Sequence, residues 1–389
     1  MSKYTTKFIN HASFSFENEQ DLHLIDPWFG GKIFNNSWSL LEDTDPSTIN
    51  LSKVASVFIT HEHPDHLNWP TLKQIINASQ NVKAYIPKRK NDNVTKALQK
   101  LGYEVIEAEP HRKYQVNEQI SFYSIPEPGG HDTVQVFEVD GEVHVNQNDC
   151  YLPDGLLYAI KMRFPKIKYW WMQFSLAGYY ANHDDHKALE EKGKKFHMDI
   201  FTKYHSILQP EIAIPFASYV YFCKKHNDYL NKWAVSVKEL VSNNPQIDFI
   251  VPKNNQDILE ADNDNNIMTW ENLFGAEKDI AEPLKIADEE IINLGSEWLI
   301  KTHDNLPIDV ITLGLYDDER NFSLDFKNRT CYFSNTESQV SGILPKEELH
   351  FFLKFPWGAD TLNITSCFEV LDDKKWRFLL EYKDSMYVR

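Results

Sequence analysis

The chain has 389 residues, 42% hydrophobic and 13% aromatic, enough to bury one large domain with a smaller companion and too apolar to be disordered throughout. Its formal charge of -17 argues against nucleic acid or an anionic membrane as the main partner, because phosphate contacts need clustered Lys and Arg, whereas a small anionic substrate stays open because a basic pocket can sit in an acidic protein. Four dispersed cysteines, Cys150, Cys223, Cys331 and Cys367, form no CxxC pair, and neither a signal core nor an apolar run of spanning length is present, so a reducing cytoplasm without disulfides is expected.

Lys7-Phe8-Ile9, Ser13-Phe14-Ser15-Phe16 and Leu22-His23-Leu24-Ile25 read as three short strands of a β-meander, closed by the turn Asp26-Pro27-Trp28. Val54-Ala55-Ser56-Val57-Phe58-Ile59 is short, rich in β-branched residues and reads as a buried strand. It runs into Thr60-His61-Glu62-His63-Pro64-Asp65-His66-Leu67, where Pro64 breaks the chain before a helix over about 69–78. A strand over 82–87 and a helix over 92–102, with Asp92 at its start and Gly102 at its end, continue the alternation of an α/β layer.

The His and Asp side chains of residues 61–66 therefore sit on a loop between strand and helix, where a rigid scaffold usually holds chemistry. Imidazole and carboxylate are the donors zinc or ferrous iron takes from protein, and alternate positions of an extended loop point the same way. His61 and His63 can share one ion. Asp65 and His66, displaced by the turn at Pro64, aim at a second ion close by, and Asp65 can also orient a nucleophilic hydroxide.

Further on, Ser121–Pro126 leads into Gly129-Gly130-His131-Asp132-Thr133, then a hairpin of Val134–Val139 and Val143–Gln147 that ends at Asn148-Asp149-Cys150. Lys168–Ser175 is a buried strand followed by the aromatic turn Leu176-Ala177-Gly178-Tyr179-Tyr180. His183, Asp184, Asp185 and His186 read as the solvated start of a helix over 187–203 rather than a second metal site. Ile212–Tyr221 is a further core strand. Residues 253–290 are polar and acidic and read as a linker, and 291–389 as a small α+β domain. That domain is expected to hold strands at Val310–Leu313, Phe322–Phe326, Thr330–Phe333 and Thr361–Ile364 and a short helix at Leu344–Phe352. It is similar to sterol-carrier-like folds and could cover substrate or mediate self-association.

His61-Glu62-His63-Pro64-Asp65-His66 resembles the HxHxDH signature of the metallo-β-lactamase superfamily. The resemblance implies an αββα sandwich, an α/β fold (α+β by some schemes), over residues 1–252 and one or two divalent metal ions, zinc or iron. It implies His131 as third ligand of the first metal, Asp149 as bridging carboxylate, His226 as the final ligand of the second and Asp26 as a brace for the metal loop. His11, in Asn10-His11-Ala12, resembles a turn of the lactonase and phosphodiesterase branches, and Tyr179 and Tyr219 are expected near the pocket. Asp26-Pro27-Trp28, Gln173–Tyr179 and Pro215–Tyr219 resemble most the branch that contains CMP-N-acetylneuraminate hydroxylase. That enzyme carries a Rieske domain ahead of this fold. Here no Cys-x-His with a downstream Cys-x-x-His exists, so electrons, if needed, are expected from a separate redox protein.

The resemblance leads first to a metal-dependent hydrolase that attacks a lactone or phosphodiester with a metal-bound hydroxide. The alternative is an iron oxygenase, because the same donors suit ferrous iron. A non-enzymatic scaffold is disfavoured, since unused ligands would leave carboxylates and imidazoles crowded without compensation.

Overall fold

The computed structural model describes residues 3–304, 306–335 and 339–387. A seven-stranded sheet runs in the order Gln256–Asp257, Thr5–Asn10, Ser13–Glu17, Leu22–Ile25, Val54–Phe58, Lys83–Pro87, Glu104–Ala108. A six-stranded sheet runs Ile212–Phe216, Tyr169–Gln173, Glu142–Asn148, Thr133–Val139, Ile120–Pro126, Lys113–Gln115. Strand alternation divides each sheet's side chains between two faces. Phe14, Phe58, Phe137, Trp171 and Phe216 point between the sheets, where Phe14 and Trp171 stack at 4.3 Å.

The neighbouring Val57 turns outward onto Leu72 and Ile75 of the helix Trp69–Ala78, while Trp170 turns outward onto Phe201 of the helix Phe196–Leu208 at 4.7 Å. Helix, sheet, sheet, helix is the αββα sandwich expected from the motif. Asn68 caps the first of these helices by accepting from the Thr71 amide, and so fixes where the metal loop ends.

The acidic stretch expected as a linker divides in two. Gln256–Asp257 pairs with the first strand, and Trp270 of the helix Asn263–Gly275 is buried in the main core, so these residues belong to the sandwich. A few apolar side chains in a polar segment were sufficient to dock it. Only 276–287 crosses between the two bodies, without regular structure. It is tied to both, through Ala281 N to Cys223 O (2.6 Å) and Leu284 N to Glu347 Oε2 (2.8 Å).

The C-terminal body has its own core around Trp298, Phe322, Phe352 and Trp376. Its five-stranded sheet is ordered Thr330–Ser334, Asp318–Asp325, Val310–Leu315, Gly342–Leu344, Glu369–Val370. Residues 361–364, expected as a strand, lie instead in the helix Gly358–Thr365, with Thr361 and Leu362 buried. Two β-branched residues in four gave the strand signal, and packing of the helical face against the C-terminal core overrode it.

Candidate metal centre

The site lies where Leu22–Ile25, Val54–Phe58 and Glu142–Asn148 end and the strand Thr133–Val139 begins. Thr133 Oγ1 donates to Thr60 O (2.5 Å) and Gln135 Nε2 to Ile59 O (3.0 Å), so the second sheet pins the loop that leaves the first.

Asp26 organises the loop. It is fully buried with φ 41°, a backbone region that Asp and Asn tolerate better than most residues. Its Oδ1 accepts from Thr60 N (2.8 Å), and its Oδ2 from Thr60 Oγ1 (2.7 Å) and His66 Nδ1 (2.8 Å). His66 therefore keeps a proton on Nδ1, which leaves Nε2 as the nitrogen able to exchange its proton for a cation. Thr60 Oγ1, its proton given to Asp26, faces His61 Nδ1 at 3.1 Å, which likewise leaves His61 Nε2 as the free donor.

His11 is fixed in the opposite sense. The Tyr219 amide donates to its Nδ1 (3.1 Å), so Nε2 bears the hydrogen that faces Asp65 Oδ2 at 3.3 Å. His11 thus orients Asp65 and is not poised as a ligand. Tyr219 acts here through its backbone, and its hydroxyl donates to Pro215 O (3.1 Å).

Two donor groups result, His61, His63 and Asp132 in one and His61, His66 and Asp149 in the other, with donor atoms within 4.8 Å of one another in each group. His61 Nε2 is 2.9 Å from His63 Nδ1, 3.5 Å from Asp149 Oδ2 and 3.8 Å from Asp132 Oδ1. His66 Nε2 is 3.3 Å from Asp65 Oδ2 and 3.6 Å from Asp149 Oδ2.

The residues fit divalent metal. His66 Nε2, Asp65 Oδ1 and Asp149 Oδ1 are buried with no hydrogen-bond partner, which is costly for polar atoms unless a cation completes them. The electrostatics of the site show the same crowding. Burial lowers His61 well below the usual histidine range. Burial also opposes charge on His66, but the Asp65, Asp149 and Asp26 carboxylates outweigh it and hold that ring well above its ordinary value. Burial and the Asp149 charge push Asp132 up to about 7. Burial would raise Asp149 too, yet His61 and His66 hold it below the usual carboxylate range.

Among the expected site residues, His61, His63, Asp65, His66 and Asp149 come together, with Asp26 and His11 behind them. His131 does not join them. It is exposed, its amide donates to Glu127 Oε1 (2.8 Å), Arg89 clamps its carbonyl and that of Gly130, and the next residue, Asp132, takes the inward place. Consecutive side chains of an extended segment point to opposite sides, so the turn at Gly130 (φ 75°) selects one of the pair. His226 is also elsewhere, its ring stacked on Tyr316 of the C-terminal body at 4.1 Å. Tyr179 packs on Phe368 at 4.5 Å and donates to Asn182 Oδ1, at the junction of the two bodies. Asp360, which the sequence did not single out, reaches the site from the C-terminal body, its Oδ2 3.2 Å from His63 Nε2.

Residues 23–149 match the model of the beta-lactamase superfamily domain, a stretch that holds the loop of residues 61–66, Asp132 and Asp149. The chain is similar to the cytidine monophosphate-N-acetylneuraminic acid hydroxylase of Mus musculus, at 25% identity over 291 residues, 72% of this chain and 47% of the relative. The chain spans about half the length of the curated relatives it matches. Among solved structures, a possible metal-dependent hydrolase from Veillonella parvula aligns at 15% identity over 66% of this chain and 98% of that one, with a TM-score of 0.49. A diiron beta-hydroxylase from Streptomyces venezuelae aligns at 14% identity over 56% of this chain and 45% of that one, with a TM-score of 0.42. No helix among the described residues is long and apolar enough to cross a membrane.

Proposed function

We propose that the chain is an iron-dependent oxygenase that hydroxylates a small molecule with electrons from a separate redox protein. The carrying observation is the third donor of the first group: the Asp132 carboxylate stands where an imidazole was expected, giving three histidines and three aspartates across the site. Added carboxylate makes the set harder and more anionic, which suits ferrous iron better than a histidine-dominated site does. Similarity to hydroxylases over 72% of the chain supports the same reading.

When bound, two iron ions would supply the activation of dioxygen. The overall balance is RH + O2 + 2 e⁻ + 2 H⁺ giving ROH + H2O, with a reduced one-electron carrier such as an iron–sulfur protein as reductant. The chain's own part is to hold His61 and His66 in the tautomers that aim Nε2 inward, to fix Asp65 through His11, and to keep the floor of the site dry. A hydrolytic reading keeps one observation in its favour, the buried Asp65 held by His11, a carboxylate placed to accept a proton from a nucleophilic water.

The test is to load the protein anaerobically with ferrous iron, reduce it chemically and admit oxygen. Oxygen uptake stoichiometric with protein, lost in Asp132→Ala, is expected. No uptake by the iron form, with turnover of a phosphodiester or lactone by the zinc form, would overturn it in favour of hydrolysis.

A further inference from the structure

The C-terminal body is docked by contacts that leave little freedom. Lys224 of the sandwich is buried between Glu347 (2.7 Å) and Glu348 (2.6 Å) of the helix Lys346–Lys354. Asn227 Nδ2 donates to Thr365 O (2.8 Å) and Tyr179 N to Asn363 O (2.9 Å), while Asn182 exchanges two hydrogen bonds of 2.8 Å with the Val370 backbone. Gly178 lies so close that a Cβ there would come within 3.3 Å of Asn363 O. Three of these five attachments, those of Asn227, Tyr179 and Gly178, hold the helix Gly358–Thr365 itself.

The first turn of that helix carries Asp360, and its carboxylate ends 3.2 Å from His63 Nε2, across 297 residues of sequence. The other ring nitrogen of His63, Nδ1, is the one that faces His61 Nε2 at 2.9 Å. A ligating histidine whose outer nitrogen donates to a carboxylate has its tautomer, ring orientation and basicity set by that partner. From this geometry we infer that the C-terminal body is part of the metal centre: Asp360 is a positioning residue that keeps the His63 proton on Nε2 and so makes Nδ1 the donor to the first ion. The inference rests on the metal-site reading alone and is independent of which reaction the metals perform. It gives the C-terminal body a role in assembling the site beyond covering it, since without docking His63 is free to flip its ring and exchange tautomers.

The test uses full-length protein and zinc alone, titrated against a chromophoric chelator, with histidine-selective ¹⁵N spectra of the zinc-loaded form. In Asp360→Ala, first-site affinity should fall roughly 10–100-fold, with the second site unchanged, and His63 should lose its Nε2–H signature. Asp384→Asn, which removes a charge near Asp360 without touching His63, should behave as wild type. Asp360→Asn, which retains an acceptor oxygen, should fall between the two. Equal weakening in Asp360→Ala and Asp384→Asn would reduce the effect to a general field and overturn the assignment, as would wild-type zinc affinity in Asp360→Ala. A wild-type His63 found protonated on Nδ1 overturns it without any variant. Wild-type protein that takes up no zinc would sink the metal-site reading itself, a different failure.

Discussion

Asp26→Asn isolates the brace behind the metal loop. Asn tolerates the left-handed φ of 41° as Asp does, so the backbone is undisturbed and only the acceptor pattern changes. The carboxylate accepts from three donors, Thr60 N, Thr60 Oγ1 and His66 Nδ1, at 2.7–2.8 Å. An amide offers one oxygen and turns an NH2 group toward the remaining donors. The Thr60 hydroxyl can rotate away, but His66 can escape the clash only by moving its proton to Nε2, which removes the metal donor. Losing one hydrogen bond to a charged acceptor costs about 1.5–3 kcal/mol, or about 10–100-fold in affinity at 1.4 kcal/mol per decade. Chelator competition should show that loss at the second site, where His66 would bind, and a smaller one at the first through Thr60 and His61. Wild-type resistance to chelator in a folded Asp26→Asn protein would refute the tautomer argument.

Asp132→Ala should lose metal from the first site while His131→Ala keeps wild-type content by elemental analysis; the reverse pattern would restore the imidazole as ligand. His23, His144 and His197 are buried and neutral, with burial lowering their pKa values to about 4, 3 and 3. The unfolded chain binds their protons below about pH 6.5, so stability is fully present above that pH and is lost as pH falls toward the folded values. His144→Phe, packed between Phe16 and Tyr169, should move the acid midpoint to lower pH with little change at neutral pH, and an unmoved midpoint would count against it. Lys224→Met leaves Glu347 and Glu348 buried without their cation, a loss of about 3–5 kcal/mol that should lower the melting temperature and open 276–287 to protease; an unchanged melt and digest would contradict the docking role.

The central loop was legible because two periodicities met at one point, and the sandwich followed from the family that the loop's motif resembles. An apolar β-branched strand ended, Pro64 broke the chain, a capped helix began, and the His and Asp side chains fell on the loop between. Asp149 and Asp26 became candidates only through the resemblance, which places a carboxylate after the hairpin strand and another at the end of the third strand. The choice between His131 and Asp132 was not, because it depends on a register of one residue, set by a glycine turn and by Arg89 holding two carbonyls from 41 and 42 residues away. His226 misled for a related reason: it was a loose match, the histidine after the last core strand in a segment that departs from the family's Pro-x-His arrangement, and here that segment turns to the C-terminal body and buries Lys224 beside it. Asp360 left no local signal. Its role exists only through a contact spanning 297 residues, made by a segment whose composition read as a strand.

The central claim is that three histidines and three aspartates from separate segments hold metal together. Metal analysis of protein purified anaerobically without added metal, beside His61→Ala prepared in the same way, tests it most directly because His61 belongs to both donor groups. The account predicts close to two ions per wild-type chain, chiefly iron, and loss of most of that metal in His61→Ala. Full metal retention in that variant, or wild-type protein that binds none even when iron is supplied, would contradict it.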